Sequence, residues 1–451
     1  MAASPTSRSR VLSALKELGP SSPGTLMAQL VLSQPTVYRA AQSQSEQILS
    51  FGGKRNRKLA AIRNVRGLNS KTPVFTVSQE GEVEPVGDVI ALYPHAFALV
   101  VDDPEATPRL YPGLPSFLND ARPRGFLGAA FARKHPELKF PPRAEDWNAD
   151  HVLEVIARRG EDLSGNVLVG SESFERLQVL HHTPPELVSP DEPAARYEQY
   201  AEEAMKGNPR GTALAGDQPK FGAILGTAPP DARHVMVKFS PLGNGFAARR
   251  GRDLLICEAL TLEALKEFGL DTAEARVIDG GDRLFLELTR FDRVGLRGRK
   301  RLLSLAALDA GRTTNARTTW PITATMLEHE GRISDDDLSR IRELECFARM
   351  IGNEDRTPDN LSFLWRRGDP MASLAPAYDM VPTLYAPNAN GEDTHREFTM
   401  PTFDPSLMHA WRTMQPAALR FWERVLEDAR ISPEFKVIAA WNRKVLQQKG
   451  L

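Results

Sequence analysis

Ile351-Gly-Asn-Glu-Asp-Arg-Thr-Pro-Asp-Asn360-Leu-Ser-Phe-Leu-Trp365, with Ala375-Pro-Ala-Tyr-Asp379-Met-Val-Pro382 downstream, is the stretch that decides how this chain is read. A polar loop runs into a short apolar segment of strand character, and a second loop follows around Asp379. An Asp, an Asn five residues later and a second Asp beyond a strand form the set that phosphoryl transfer requires: a base for a hydroxyl nucleophile and two oxygen ligands for magnesium. The segment Ser334 to Met350 leads into it, with Leu338, Ile341, Leu344 and Phe347 on one side and Asp335, Asp336 and Asp337 in the first turn, where the helix dipole favours anions. The loop is therefore launched from the end of an amphipathic helix.

Working back along the chain, Gly211 to Lys220 is a small-residue loop, and Phe221–Leu225 and His234–Phe239 are strand-like. A loop between strands can lay backbone amides over phosphates, but no Walker A pattern is present, which excludes a P-loop NTPase. Lys238 lies within the second apolar strand, where an unpaired ammonium is costly. Glu258 falls in the next helical segment, Asp253 to Phe268, whose Leu254, Leu255, Leu262, Leu265 and Phe268 mark a buried side. A Lys–Glu pair across strand and helix is how kinases hold a nucleotide phosphate; a surface lysine is the alternative reading.

The head of the chain has a different character. Net charge is -1, yet residues 1–66 hold 10 Lys and Arg against 2 Asp and Glu, leaving 47 against 56 for the remainder. A basic head on an acidic body implies that the head meets a polyanion. Arg8 to Leu18 reads as a helix stopped by Gly19-Pro20, Ser22-Pro23 opens a second, and Ser33 caps a third beginning Gln34-Pro35-Thr36-Val37-Tyr38-Arg39. Val37, Ala40 and Ala41 can turn inward while Gln34, Thr36, Tyr38 and Arg39 face out, as a recognition helix requires. A hairpin follows with Lys54, Arg55, Arg57 and Lys58 at and beside its tip. This order resembles the winged helix-turn-helix family, which implies binding of double-stranded DNA; a protein-docking domain of the same shape is the alternative.

At 451 residues the chain requires several cores. We divide it at 1–66, 67–190 (short apolar runs with Pro and Gly turns, mostly β and then helical), 191–290 and 291–451. His181-His182 reads as a strand pair pointing to opposite faces, hence not a metal site. Pro184 to Arg210 reads as a connector containing a solvated helix. Trp320 and Trp422 are expected in the core, and Pro416 to Leu446 as closing helices. Cys257 and Cys346 lack ligand or CxxC spacing, so a reducing cytoplasm is expected, with neither an export signal nor a membrane span.

Five ordered motifs carry a resemblance: "GDQPK" at 216–220, "VMVKF" at 235–239, "RFDR" at 290–293, "IGNEDRTPDN" at 351–360 and "PAYDMVPT" at 376–383, supported by "LPSFLNDARPRGFLG" and "DLSGNV". Residues 70–445 resemble the HipA family of bacterial toxin kinases, and the N-terminal extension is most similar to its YjjJ branch. The resemblance implies an α+β chain: a winged helix-turn-helix followed by a two-lobed, protein-kinase-like fold with a largely helical C-terminal lobe. It implies ATP and magnesium as cofactors, Asp355 as base, Asn360 and Asp379 as magnesium ligands, Lys238 as phosphate lysine with Glu258 its partner, and Gly216, Gln218 and Lys220 over the phosphates. The family pattern N-x-D-x-H-x-K-N has Thr357 in place of its His and Asp359 in place of its Lys, putting an anion where a cation is usual. The family's autophosphorylated serine falls near Ala213, with Thr212 beside it.

The resulting expectation is a growth-inhibiting serine/threonine kinase acting on a cytosolic protein, an aminoacyl-tRNA synthetase by family analogy, with an antitoxin as a further partner. A DNA-binding regulator with a degenerate kinase body is the alternative that Thr357 and Asp359 motivate. An enzyme acting on DNA through the same carboxylates is a third.

Overall fold

The structure is a computed structural model, and it describes residues 5–53, 56–103, 106–211, 216, 218–309, 319–366, 368–400 and 404–448. Lys54, Arg55, Thr212 and Ala213, singled out above, lie outside the described residues.

Three helices open the chain: α1 (Pro5–Leu18), α2 (Pro23–Leu30) and α3 (Gln34–Gln42). Val11, Leu15, Leu26, Val37 and Ala40 recur at helical spacing and meet in one small core. Gly19, at φ 72°, stops α1, and the Ser22 hydroxyl accepts the Thr25 amide at 3.0 Å to start α2. Ser33 opens α3 differently from the expected cap: its hydroxyl bonds Thr36 Oγ1 at 2.8 Å rather than a backbone amide. An antiparallel hairpin follows, β1 (Ile48–Phe51) with β2 (Lys58–Ala61), paired from Ile48↔Ala61 to Phe51↔Lys58. Its inner face closes the helical core, while Phe51 and Ala60 pack on Ile90, Leu92, Ala96 and Ala98 of the next unit.

That unit is a five-stranded antiparallel sheet in the order β6-β5-β4-β3-β7, built from β3 (Lys71–Val77), β4 (Val83–Leu92), β5 (Ala96–Val101), β6 (Arg109–Tyr111) and β7 (Val167–Val169). Gly87 sits at φ 147°, and a Cβ there would lie 2.0 Å from the Val100 carbonyl oxygen, so only glycine lets β4 and β5 close. Helices α4 (Gly125–Lys134), α5 (Ala149–Arg159) and α6 (Ser171–His182) cover it. Asn148 and His151 form a reciprocal cap at the start of α5. The histidine pair lies at the end of α6, not on a strand, and His182 bonds the Gln178 carbonyl one turn back. Among the described residues no cluster has the make-up of a metal site.

Helix α7 (Ala194–Met205) corrects the expectation of a solvated connector. Tyr197, Tyr200, Ala201 and Ala204 form a buried stripe against the next sheet, and the Tyr197 hydroxyl donates to Glu287 at 2.7 Å. The polar residues between them dilute that stripe in the sequence. The sheet has four antiparallel strands in the order β10-β11-β9-β8: β8 (Lys220–Leu225), β9 (Arg233–Phe239), β10 (Ala275–Asp279) and β11 (Leu284–Thr289). Helix α8 (Phe246–Glu267) packs on it and starts about two turns earlier than its apolar pattern suggested, because Gly245 opens it.

A two-strand turn, β12 (Arg293–Val294) and β13 (Gly298–Arg299), leads to the C-terminal body. There β14 (Arg301–Ser304), β15 (Ser362–Trp365) and β16 (Ser373–Leu374) form a small sheet among helices α9 (Leu305–Asp309), α10 (Trp320–His329), α11 (Asp335–Ile351), α12 (Met408–Glu427) and α13 (Pro433–Gln448). Trp320 and Trp422 are fully buried in its core, as expected. Among the described residues, no helix is long and apolar enough to cross a membrane.

Two motifs act as a cross-link between units. Arg290 and Arg293 of "RFDR" are buried and both reach Asp162 of "DLSGNV", at 3.0 and 2.9 Å, and both also bond Asp292. The Gly165 amide donates to Asp292 at 2.9 Å, and Arg293 returns a bond to the Gly165 carbonyl. Burial alone would raise both carboxyls, but Arg290 and Arg293 outweigh it and hold them well below the ordinary carboxylate range. The two motifs, far apart in the sequence, bind one another directly.

Candidate active site

A cleft lies between the four-stranded sheet and the helical body. Its most informative feature is a pair of lysines. Lys220 opens β8 and Lys238 lies on β9, directly opposite in register, and each is only 4% exposed. Two ammonium groups side by side in a low-dielectric wall are unfavourable unless anions answer them. Two carboxylates do. Glu258, fully buried on α8, holds Lys238 Nζ with both oxygens, at 2.6 and 2.8 Å. Asp379 bonds the same ammonium. Burial disfavours the Lys238 charge, but Asp379 and Glu258 overcome it and raise its pKa. Burial likewise pushes Asp379 up, and Lys238 and Lys220 pull it down below the carboxylate range.

Asp379 adopts φ 53°, the left-handed region that Asp tolerates better than most residues. Backbone strain of this kind persists where surroundings dictate it. Asn353, 1% exposed at the end of α11, supplies that dictation: its amide oxygen accepts the Asp355 amide at 2.9 Å, and its amide nitrogen donates to the Asp379 carbonyl at 3.5 Å. The loop that carries Asp355 and the loop that carries Asp379 are thereby joined to one another. Sequence reasoning assigned Asn353 no role, although an Asn two residues before the expected base was its signal.

Asp355 is exposed on the loop after α11. Asn360 donates from Nδ2 to the Asp355 carbonyl at 2.8 Å, its amide oxygen remains an acceptor, and Asn360 and Asp379 both line the cleft. Two hard oxygen donors from facing loops fit magnesium rather than a softer metal. The loop is further held by Trp320 Nε1 on the Thr357 carbonyl at 2.8 Å and by half-buried Tyr378, whose hydroxyl meets Ser362 at 2.6 Å and the Asp359 carbonyl at 3.1 Å. Met236, Ala273, Leu288 and Leu302 give the cleft an apolar end.

The loop residues fall unevenly. Gly216 lines the cleft at φ 105°, a backbone conformation that favours glycine. Gln218 is half-buried on the same loop and is not among the lining residues. The residues that sequence reasoning missed come from the middle unit: Asn119, Asp120, Arg122 and Arg124 form a wall of the cleft, and Arg124 pairs with Asp359 at 2.6 Å. Their motif was noticed, but nothing local in it announces a neighbour 235 positions away.

On the N-terminal unit, Gln34 and Arg39 are exposed on α3, and Thr36 and Tyr38 are half-buried. Arg57 stacks over the Tyr38 ring at 5.7 Å, and Lys58 is exposed on β2. Arg63, which is buried, is committed inward to Asp150, and Arg66, itself exposed, pairs with buried Glu154, so part of the basic charge of the head is answered within the chain.

Comparison with known proteins agrees with this geometry. A family model described as "YjjJ-like toxin, middle domain" matches residues 68–178, and one described as "HipA-like C-terminal domain" matches residues 212–432. The chain is 32% identical over 426 residues to Toxin YjjJ of Escherichia coli strain K12, covering 93% of this chain and 94% of that one. The chain belongs to the HipA-like toxin family. Among solved structures it is similar to the HipA of Shewanella oneidensis MR-1, determined with HipB and operator DNA, at TM-score 0.50 and 15% identity, over 83% of this chain and 96% of that one. That likeness extends the HipA-type fold over most of the chain. A weaker overlap, TM-score 0.36 and 13% identity over 51% of this chain and 89% of that one, is with the Helicobacter pylori proinflammatory kinase CtkA.

Proposed function

We propose that this HipA-like toxin is an ATP- and magnesium-dependent serine/threonine protein kinase that restrains growth and carries its own DNA-binding winged helix-turn-helix. The observation that carries the reading is the pair of opposed buried lysines converging on Asp379, with the Asp355–Asn360 loop across the cleft. Such a wall suits a polyphosphate, and the apolar end suits a base ring. A protein hydroxyl would attack the γ-phosphorus as Asp355 accepts its proton; the new O–P bond forms as the bond to the β–γ bridging oxygen breaks, and ADP leaves. Lys238, oriented by Glu258, and Lys220 would bind the phosphate oxygens. Asp379 and Asn360 would hold magnesium, whose charge neutralises those oxygens when bound.

Growth is the first test. Induced expression of the wild type is expected to slow cell division and to add phosphoserine or phosphothreonine to at least one cytosolic protein, with translation proteins the first place to look. Asp355→Asn is expected to relieve both. If growth arrest persists undiminished in Asp355→Asn with no change in the phosphoproteome, the regulator reading takes over.

The DNA-binding part is supported by the exposed polar face of α3 and the basic hairpin beside it, and the related HipA was crystallised with HipB and operator DNA. Duplex DNA is expected to bind the full chain with an affinity that falls steeply as salt rises. Arg39→Ala/Lys58→Ala should weaken it and flatten the salt slope by about two, one per lost phosphate contact. An anisotropy titration that shows no binding at low salt, or binding indifferent to both substitutions, removes this domain from the DNA.

A further inference from the structure

We infer that Arg124, from the middle unit, is a catalytic residue of the phosphate site, and that Asp359 is the positioning residue that aims it; this rests on the kinase reading above. Asp359 stands one residue before Asn360, at the rim of a cleft that must accept a polyphosphate, and an uncompensated carboxylate there would repel the ligand. Arg124 Nη1 answers it at 2.6 Å. Both side chains remain more than a third exposed, at 39% and 35%. An ion pair so accessible contributes about 0–1 kcal/mol, so fold stability gives little reason for an arginine at this position.

The surroundings of Arg124 point to the phosphates. Asp120 accepts from the Ser304 amide at 2.7 Å and from its hydroxyl, anchoring the segment to the strand beside the catalytic loop. Two residues beyond Arg124, the Phe126 amide donates to the Gly216 carbonyl at 3.2 Å, and the Phe126 ring meets Phe239 at the end of the Lys238 strand. The stretch from Asp120 to Phe126 thus touches the catalytic loop, the glycine loop and the lysine strand, the three parts that handle phosphate. Arg122 and Arg124 both line the cleft alongside Lys220 and Lys238, but Arg122 Nη1 donates to the Trp147 carbonyl at 3.0 Å, whereas Arg124 reaches the loop that carries Asn360. A guanidinium presents five donors in a planar fork suited to phosphate, and the bond to Asp359 engages one nitrogen. In the transfer step Arg124 would stabilise charge gathering on the phosphoryl oxygens as the γ-phosphorus moves from the bridging oxygen to the hydroxyl oxygen, while the hydroxyl proton goes to Asp355. The middle unit, on this account, completes the active site.

The test measures initial rates of transfer from radiolabelled ATP by the full chain, with Arg143→Ala, on the exposed surface of the same unit, as a control expected to match wild type. Arg124→Gln should lower kcat on the order of 100-fold, with a much smaller change in KM for ATP and an unchanged Tm. Arg124→Lys should recover part of the loss. Asp359→Lys placed in the Arg124→Gln background should recover more, because it returns a cation to the same spot from the opposite wall. Wild-type kcat in Arg124→Gln overturns the inference alone. So does a loss that tracks a lowered Tm and that neither lysine variant recovers, since that is the signature of a merely structural pair. A wild-type protein that binds ATP and transfers nothing overturns the kinase reading, and this inference with it.

Discussion

Asp379→Asn is expected to reduce phosphate transfer by about 100- to 1,000-fold and to raise the magnesium concentration needed for what remains, with the protein still folded. Asparagine keeps the shape of the side chain and tolerates the left-handed backbone at φ 53°, so the loss reports the missing charge rather than a displaced loop. Folding should survive because Lys238 keeps both oxygens of Glu258. Transfer rates across a magnesium titration, with Tm recorded beside them, decide it. A variant as active as wild type at low magnesium would remove Asp379 from the metal site.

Asp292→Ala should have the largest effect on stability, lowering it by about 3–5 kcal/mol. The substitution leaves Arg290 and Arg293, both buried, sharing only Asp162, and it also strips the acceptor of the Gly165 amide. The pH dependence follows with a definite sign. Asp162 and Asp292 are held below their unfolded values, near 3.8, so the unfolded chain binds more protons and the stabilisation is fully present above about pH 4. It is lost as pH falls further, towards the depressed native values. Urea midpoints between pH 7 and pH 3 should therefore fall less steeply for Asp292→Ala than for wild type. Parallel curves with equal midpoints would show that the cluster does not carry this load.

The parts of the site that were legible in the sequence are those whose chemistry and spacing are local. Asp355 and Asn360 share one loop, Asp379 follows across one strand, and Lys238 stood out because a charge in an apolar strand demands a partner. The Glu258 partner could be guessed since one helix follows that strand. Arg124 could not, because its role depends on a pairing with Asp359 that only the docking of two units creates. Asp359 alone looked like the loss of a cation; beside Arg124 it is the counter-charge of one. The same limit hid α7, whose buried Tyr197 and Tyr200 are separated by Glu198 and Gln199 and flanked by Arg196, Glu202 and Glu203, which make the segment read as solvated. The role of "RFDR" was likewise invisible until Asp162 was found between its two arginines.

The most direct test of the central claim incubates the purified full chain with magnesium and radiolabelled ATP, beside Asp355→Asn, in a cell extract freed of DNA. Labelled serine or threonine is expected on one or a few proteins with the wild type, and none of those bands with the variant. Measurable ATP binding with no transfer, or labelling that Asp355→Asn leaves intact, would contradict it.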